Sequence, residues 1–108
     1  MQVLKKSKVL FVDVDRTLIV WEEGCIWHPH KEHLALIEQF WYQNHGIVVW
    51  SAGGVEWAEK AVRLLGIEDK VDLIISKPDW YVDDLPAQTF MPEANRIFLP
   101  EEKKTDKV

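Results

Sequence analysis

The chain is short of several things, and each shortage narrows the reading. It has one cysteine, Cys25, so no disulfide can form within the chain, which fits a reducing compartment. It has no apolar run of about 18 residues, and its N-terminus, MQVLKKSK, leads straight into an apolar β-type run rather than a secretory leader. A non-membrane, cytoplasmic protein is therefore expected. No block of basic residues occurs, and the formal net charge is −5, so the electrostatic term behind most nonspecific nucleic-acid affinity is missing. Long nucleic acid is not the expected partner. With 108 residues there is room for one domain and one core, spanning 1–108, with a charged tail over 101–108 that should fray. No internal repeat is evident.

What is present is an alternation of apolar segments. KVLFVDV, 8–14, reads as a buried strand. Residues 18–28 read as two extended arms around Glu22-Glu23-Gly24, a hairpin. A helix over 31–44 follows Pro29, with Leu34, Ile37 and Trp41 on one stripe and Gly46 as a left-handed cap. Residues 47–50 form a second strand, broken by Ser51-Ala52-Gly53-Gly54. Residues 55–65 form a second helix stopped by Gly66, and 71–75 a third strand. Trp80-Tyr81-Val82 and 96–99 are read as a fourth and a fifth strand. The order predicts an α/β fold with a mainly parallel sheet.

In such folds ligands bind outside the carboxyl ends of the strands. Polar residues gather there: Asp13 and Asp15 after the first strand, Ser51 after the second, Ser76 and Lys77 after the third, Asp83 and Asp84 after the fourth. If these ends meet, the crevice holds four carboxylates, a hydroxyl and an ammonium, and it cannot accept an anion unless a cation offsets the charge. Oxygen donors with no adjacent thiol or imidazole suit Mg²⁺, which takes one or two carboxylates, waters and a phosphate oxygen. One Asp could then attack phosphorus while its neighbour two residues away handles the proton. The Ser51 hydroxyl, the amides of Ala52, Gly53 and Gly54, and Lys77 would meet the phosphoryl oxygens.

These segments, Phe11-Val12-Asp13-Val14-Asp15-Arg16-Thr17, Ile47 to Ser51, Lys77, and Tyr81-Val82-Asp83-Asp84, resemble the four ordered motifs of the haloacid-dehalogenase (HAD) superfamily over about residues 8–84. The resemblance implies a Rossmann-like three-layer sandwich and a phosphohydrolase working through an aspartyl-phosphate. Asp13 would be nucleophile and Mg²⁺ ligand. Asp15 would be general acid/base with its carbonyl on the metal, and Thr17 would brace the loop. Ser51 and Lys77 would bind phosphate, and Asp83 and Asp84 would complete the metal site. The hairpin at 18–28 would be the family's flap. Position 16 departs from the pattern, being Arg where Gly is common, with its side chain toward solvent or toward a substrate anion. The stretches from Thr17 to Gly53 and from Ser51 to Lys77 are too short for an inserted cap, so a capless enzyme with an open crevice is expected.

The substrate would be a small or exposed phosphate ester. The sharper alternative is a nucleotide or polynucleotide 3'-phosphatase. Six tryptophans bear on this: Trp21, Trp27, Trp57 and Trp80 could rim the crevice, although packing is the ordinary role of such rings. Cys25, His28, His30 and His33 contain Zn²⁺-binding types at a spacing unlike a standard finger, and exposed or internally bonded histidines are the plainer expectation. A homodimer covering the crevice is compatible with the chain, though no residue demands one. The competing functional class is a phosphate- or partner-binding domain without turnover. A receiver domain would place its Lys last, whereas here Lys77 precedes an acidic pair.

Overall fold

The computed structural model describes residues 8–101. Three parallel strands form the main sheet: β1 (Val9–Val12), β4 (Gly46–Ser51) and β5 (Leu73–Ser76), in the order β1-β4-β5. Between β1 and α1 (Lys31–Tyr42) the chain builds an antiparallel hairpin of β2 (Ile19–Glu22) and β3 (Ile26–Pro29). Helix α2 (Val55–Leu65) links β4 to β5, and a single turn, α3 (Ala87–Phe90), follows much later.

β4 lies in the middle because it is the most apolar run, and Ile47, Val48 and Val49 are all buried. Alternation along it gives two different faces. Ile47 and Val49 join Val12 and Val14 in one cluster with Ile37 of α1 and Ala58, Ala61 and Val62 of α2. Both helices therefore cover the same face, as right-handed crossovers along β1, β4 and β5 require. On the other face Val48 is buried at the centre, while Val9, Phe11 and Leu73 remain exposed. A helical layer on that second face, expected for a three-layer sandwich, is not among the described elements.

The ladder aligns the strand ends. Val12 pairs with Val49, Val49 with Ile74, and Ser51 with Ser76. The Lys77 amide extends the pattern by donating to the Ser51 carbonyl at 2.9 Å. At the opposite end, the Asp72 carboxylate accepts from the Ile47 amide at 2.8 Å, and the Asp72 amide donates to the Ile47 carbonyl at 2.8 Å.

Three expectations need correction. Gly46 is not a helix cap but the first residue of β4, and the left-handed residue after α1 is Asn44, with φ 65°. Asparagine tolerates that region, and its amide donates to the Trp41 carbonyl. No strand forms over 80–82, where Trp80 is 87% and Val82 102% exposed. The run is only three residues long between Pro78 and Asp83, and Asp83 accepts from the Leu85 amide at 2.9 Å, a side-chain turn that competes with a ladder. No strand forms over 96–99 either, because the Leu99 amide is used by an imidazole of α1. Among the described residues no helix is long and apolar enough to cross a membrane.

Gly54 precedes α2 at φ 104° and ψ 166°, a region that side chains avoid, and a Cβ there would meet nothing within 4 Å. Its replacement therefore isolates backbone strain from crowding. Gly54→Ala should lower unfolding stability by about 1–3 kcal/mol, read from urea titration.

Candidate active site

The first site segment is a loop fixed by its apolar members. Val14, Leu18 and Ile19 are fully buried, and the Val14 carbonyl accepts from the amides of Thr17, Leu18 and Ile19 at 3.2, 2.8 and 3.0 Å. Around those anchors Asp13, Asp15 and Thr17 stay half-buried. Arg16 adopts φ 65° with its amide donating to the Ile19 carbonyl at 2.8 Å, a turn in which glycine would be unstrained, and its side chain is exposed.

Asp13 is the meeting point. Lys77 Nζ lies 3.5 Å from its Oδ1, and Thr17 Oγ1 donates to Oδ2 at 3.4 Å. The ammonium also sits 5.8 Å from the centre of the Trp50 ring, so an aromatic wall guides it across β4 to β1. The sequence pattern assigned Asp13, Thr17 and Lys77 to one site, and the fold brings the three together.

Ser51 is adjacent but turned inward. It is 1% exposed, and its Oγ accepts from the Gly53 amide at 2.9 Å. Its carbonyl accepts from the Gly54 amide at 3.2 Å. The Gly53 and Gly54 amides are thus engaged inside the turn, which departs from the expectation that they point at a phosphate. Ala52 is exposed at the tip of the turn.

Asp15 does not join this cluster. Its Oδ1 accepts from Trp21 Nε1 and its Oδ2 from Trp57 Nε1, both at 3.2 Å. Sequence reasoning placed both rings near the crevice but missed that they bind a carboxylate. The usable signal was position: Trp57 lies in the first turn of α2, directly after the Ser51 turn. Asp83 and Asp84 are exposed on their turn, where the Asp83 carboxylate accepts from the Leu85 amide. Among the described residues no three of His, Cys, Asp or Glu are arranged to hold a metal ion, and this also covers His28, His30 and His33. The side chain of Cys25 lies outside the described set.

The histidines brace the loop from behind. His30 and His33 are each 2% exposed and stack with ring centres 3.9 Å apart. His33 Nδ1 lies 2.7 Å from the Thr17 carbonyl and can only donate there, so the neutral ring has Nε2 as acceptor, and the Leu99 amide donates to it at 2.9 Å. His30 Nδ1 accepts from the His33 amide at 3.2 Å, and its Nε2 is buried with no partner among the described residues. His28 pairs with Glu22 at 3.1 Å and Glu101 at 3.7 Å.

Comparison with protein-family models, curated proteins and solved structures finds no match to this chain. The case for any function is therefore made by these side chains.

Burial, the largest cause, lowers the His33 pKa below the ordinary histidine value; neighbouring His30 lowers it further, while the Thr17 carbonyl and Glu32 oppose the shift. Protonation would also set an Nε2–H against the Leu99 amide. The unfolded chain then binds more protons than the fold over the window below about pH 6.5, so stability must decline with acidification there. A urea-midpoint series should be level above that pH and fall below it, and His33→Gln should flatten the fall.

Proposed function

We propose that this protein is a Mg²⁺-dependent phosphohydrolase of the capless HAD type, a phosphomonoesterase acting through an aspartyl-phosphate on Asp13. The observation that carries the reading is the Lys77–Asp13 contact at 3.5 Å, made across the carboxyl edge of a parallel sheet. A partly exposed ion pair of this kind contributes about 0–1 kcal/mol, so it adds little to stability. It supports the reading by setting a nucleophile beside a cation that can follow charge onto phosphoryl oxygens.

The donor chemistry fits the metal. Asp13 and Asp15 offer hard oxygens, and Mg²⁺ needs only one or two protein carboxylates, with water and a phosphate oxygen filling the rest. The Asp13 carboxylate and the Asp15 carbonyl would hold it, with Asp83 and Asp84 outside that set. When bound, the ion supplies charge neutralisation between the nucleophile and the phosphoryl oxygens.

In the first step an Asp13 oxygen forms a bond to phosphorus as the bond to the leaving oxygen breaks, and Asp15, entering the step as the protonated acid, gives that oxygen its proton. In the second, Asp15 takes a proton from water, whose oxygen attacks phosphorus and releases phosphate, restoring Asp13. Lys77 offsets charge in both steps. The Ser51 hydroxyl accepts from Gly53 and keeps its own proton for donation. The substrate class this supports is a small or exposed phosphate ester, with a nucleotide or polynucleotide 3'-phosphate as the narrower form.

A second reading, a phosphate- or partner-binding domain without turnover, draws on the lack, among the described residues, of three carboxylate or imidazole groups arranged to hold a metal ion. One assay distinguishes the two. With p-nitrophenyl phosphate and Mg²⁺, steady turnover that stops in EDTA is expected, with none for Asp13→Asn and a rate about 10²–10⁴-fold lower for Asp15→Asn. Near-wild-type turnover by Asp13→Asn removes the proposed nucleophile, and a single labelling event without turnover favours the binding domain.

A further inference from the structure

Asp15 is gripped from two elements at once. Trp21, on β2 of the hairpin, donates to one oxygen, and Trp57, in the first turn of α2, donates to the other, each at 3.2 Å. The two rings stack at 6.3 Å with 27° between their planes. Indole N–H groups only donate, so both Asp15 oxygens act as acceptors, a capacity the protonated acid keeps while carrying its own O–H. The Ser51 turn makes room for this arrangement. A Cβ at Gly53 would lie 3.2 Å from Trp57 Cδ1 and 3.3 Å from Ser51 Oγ, closer than either comfortably allows.

We propose that Trp21 and Trp57 are positioning residues, a two-indole clamp that orients the Asp15 carboxyl group, protonated when it serves as the acid, for proton transfer to the leaving group and makes the hairpin part of the catalytic apparatus. The catalytic half of this rests on the reading of Asp15 as the proton donor. Two donors on two oxygens fix the plane of the carboxylate, where one would leave it free to rotate, and proton transfer depends on that orientation. The hairpin thereby gains a contact with α2 that runs through the reacting group. A shift of the hairpin would carry Trp21 away and release one oxygen of Asp15.

The test uses two esters that differ in their need for that proton. p-Nitrophenolate leaves readily without one, whereas the alkoxide of glycerol 2-phosphate does not. The kcat/KM value covers the steps through cleavage of the P–O bond. Trp21→Phe and Trp57→Phe keep the rings and delete the N–H groups. Each should lower kcat/KM for glycerol 2-phosphate about tenfold and change that for p-nitrophenyl phosphate by less than about twofold. Equal losses on both esters, or no loss on either, overturn the positioning role. Independently of activity, the two indole N–H resonances, assigned from the Phe variants, should move together in Asp15→Ala. Resonances that stay in place overturn the clamp. If the wild-type protein cleaves neither ester, the phosphohydrolase reading falls, and the clamp is decided by those resonances.

Discussion

The register of β4 against its two neighbours is the constraint on which everything else depends. Val49 is level with both Val12 and Ile74, so the strands end together and Asp13 and Lys77 emerge on either side of Ser51. That register is held by burial. Each fully buried aliphatic side chain among Ile47, Val49, Val14, Ile37 and Val62 contributes about 1.5–3 kcal/mol, against about 0–1 for the Lys77–Asp13 pair. The site is therefore presented by the core beneath it and is not assembled by its own charges. The fold does not rely on the charge pair for its stability.

The second level of organisation is the loop from Asp13 to Ile19. Its carboxylates face outward because Val14, Leu18 and Ile19 face inward, and the single carbonyl of Val14 gathers three amides. The loop is then tied to α1 twice, through the His30 amide on the Leu18 carbonyl at 2.9 Å and the His33 ring on the Thr17 carbonyl at 2.7 Å. His33 passes the constraint on to the chain near Leu99, with Phe98 packed 5.2 Å from its ring. Leu99, 66 positions after His33, is thus linked through that ring to the Thr17 carbonyl.

The parts of this arrangement that could be read from the sequence are those set by local pattern. The apolar runs before Asp13, Ser51 and Lys77 identify three strands, their alternation with amphipathic helices identifies an α/β fold, and Gly66 stops α2 in the left-handed conformation expected of it. What could not be read depends on competition or on distance. Asn44 rather than Gly46 takes the left-handed position because Gly46 is needed in β4. Trp80-Tyr81-Val82 has β-type residues, yet the turn at Asp83 and the flanking Pro78 prevail. The indole bonds to Asp15 join residues 6 and 42 positions apart, and nothing in local spacing specifies where a ring N–H points. His30 and His33, for which internal bonding was the plainer expectation, form a stacked pair that serves the backbone.

The central claim is that Asp13 forms a covalent bond to phosphorus. Acid-quenching the protein during turnover and mapping its peptides by mass spectrometry tests that claim most directly. The account predicts one added phosphoryl group on the peptide containing Asp13, lost on chase with water. Turnover with no adduct, or with the adduct on another residue, would contradict it.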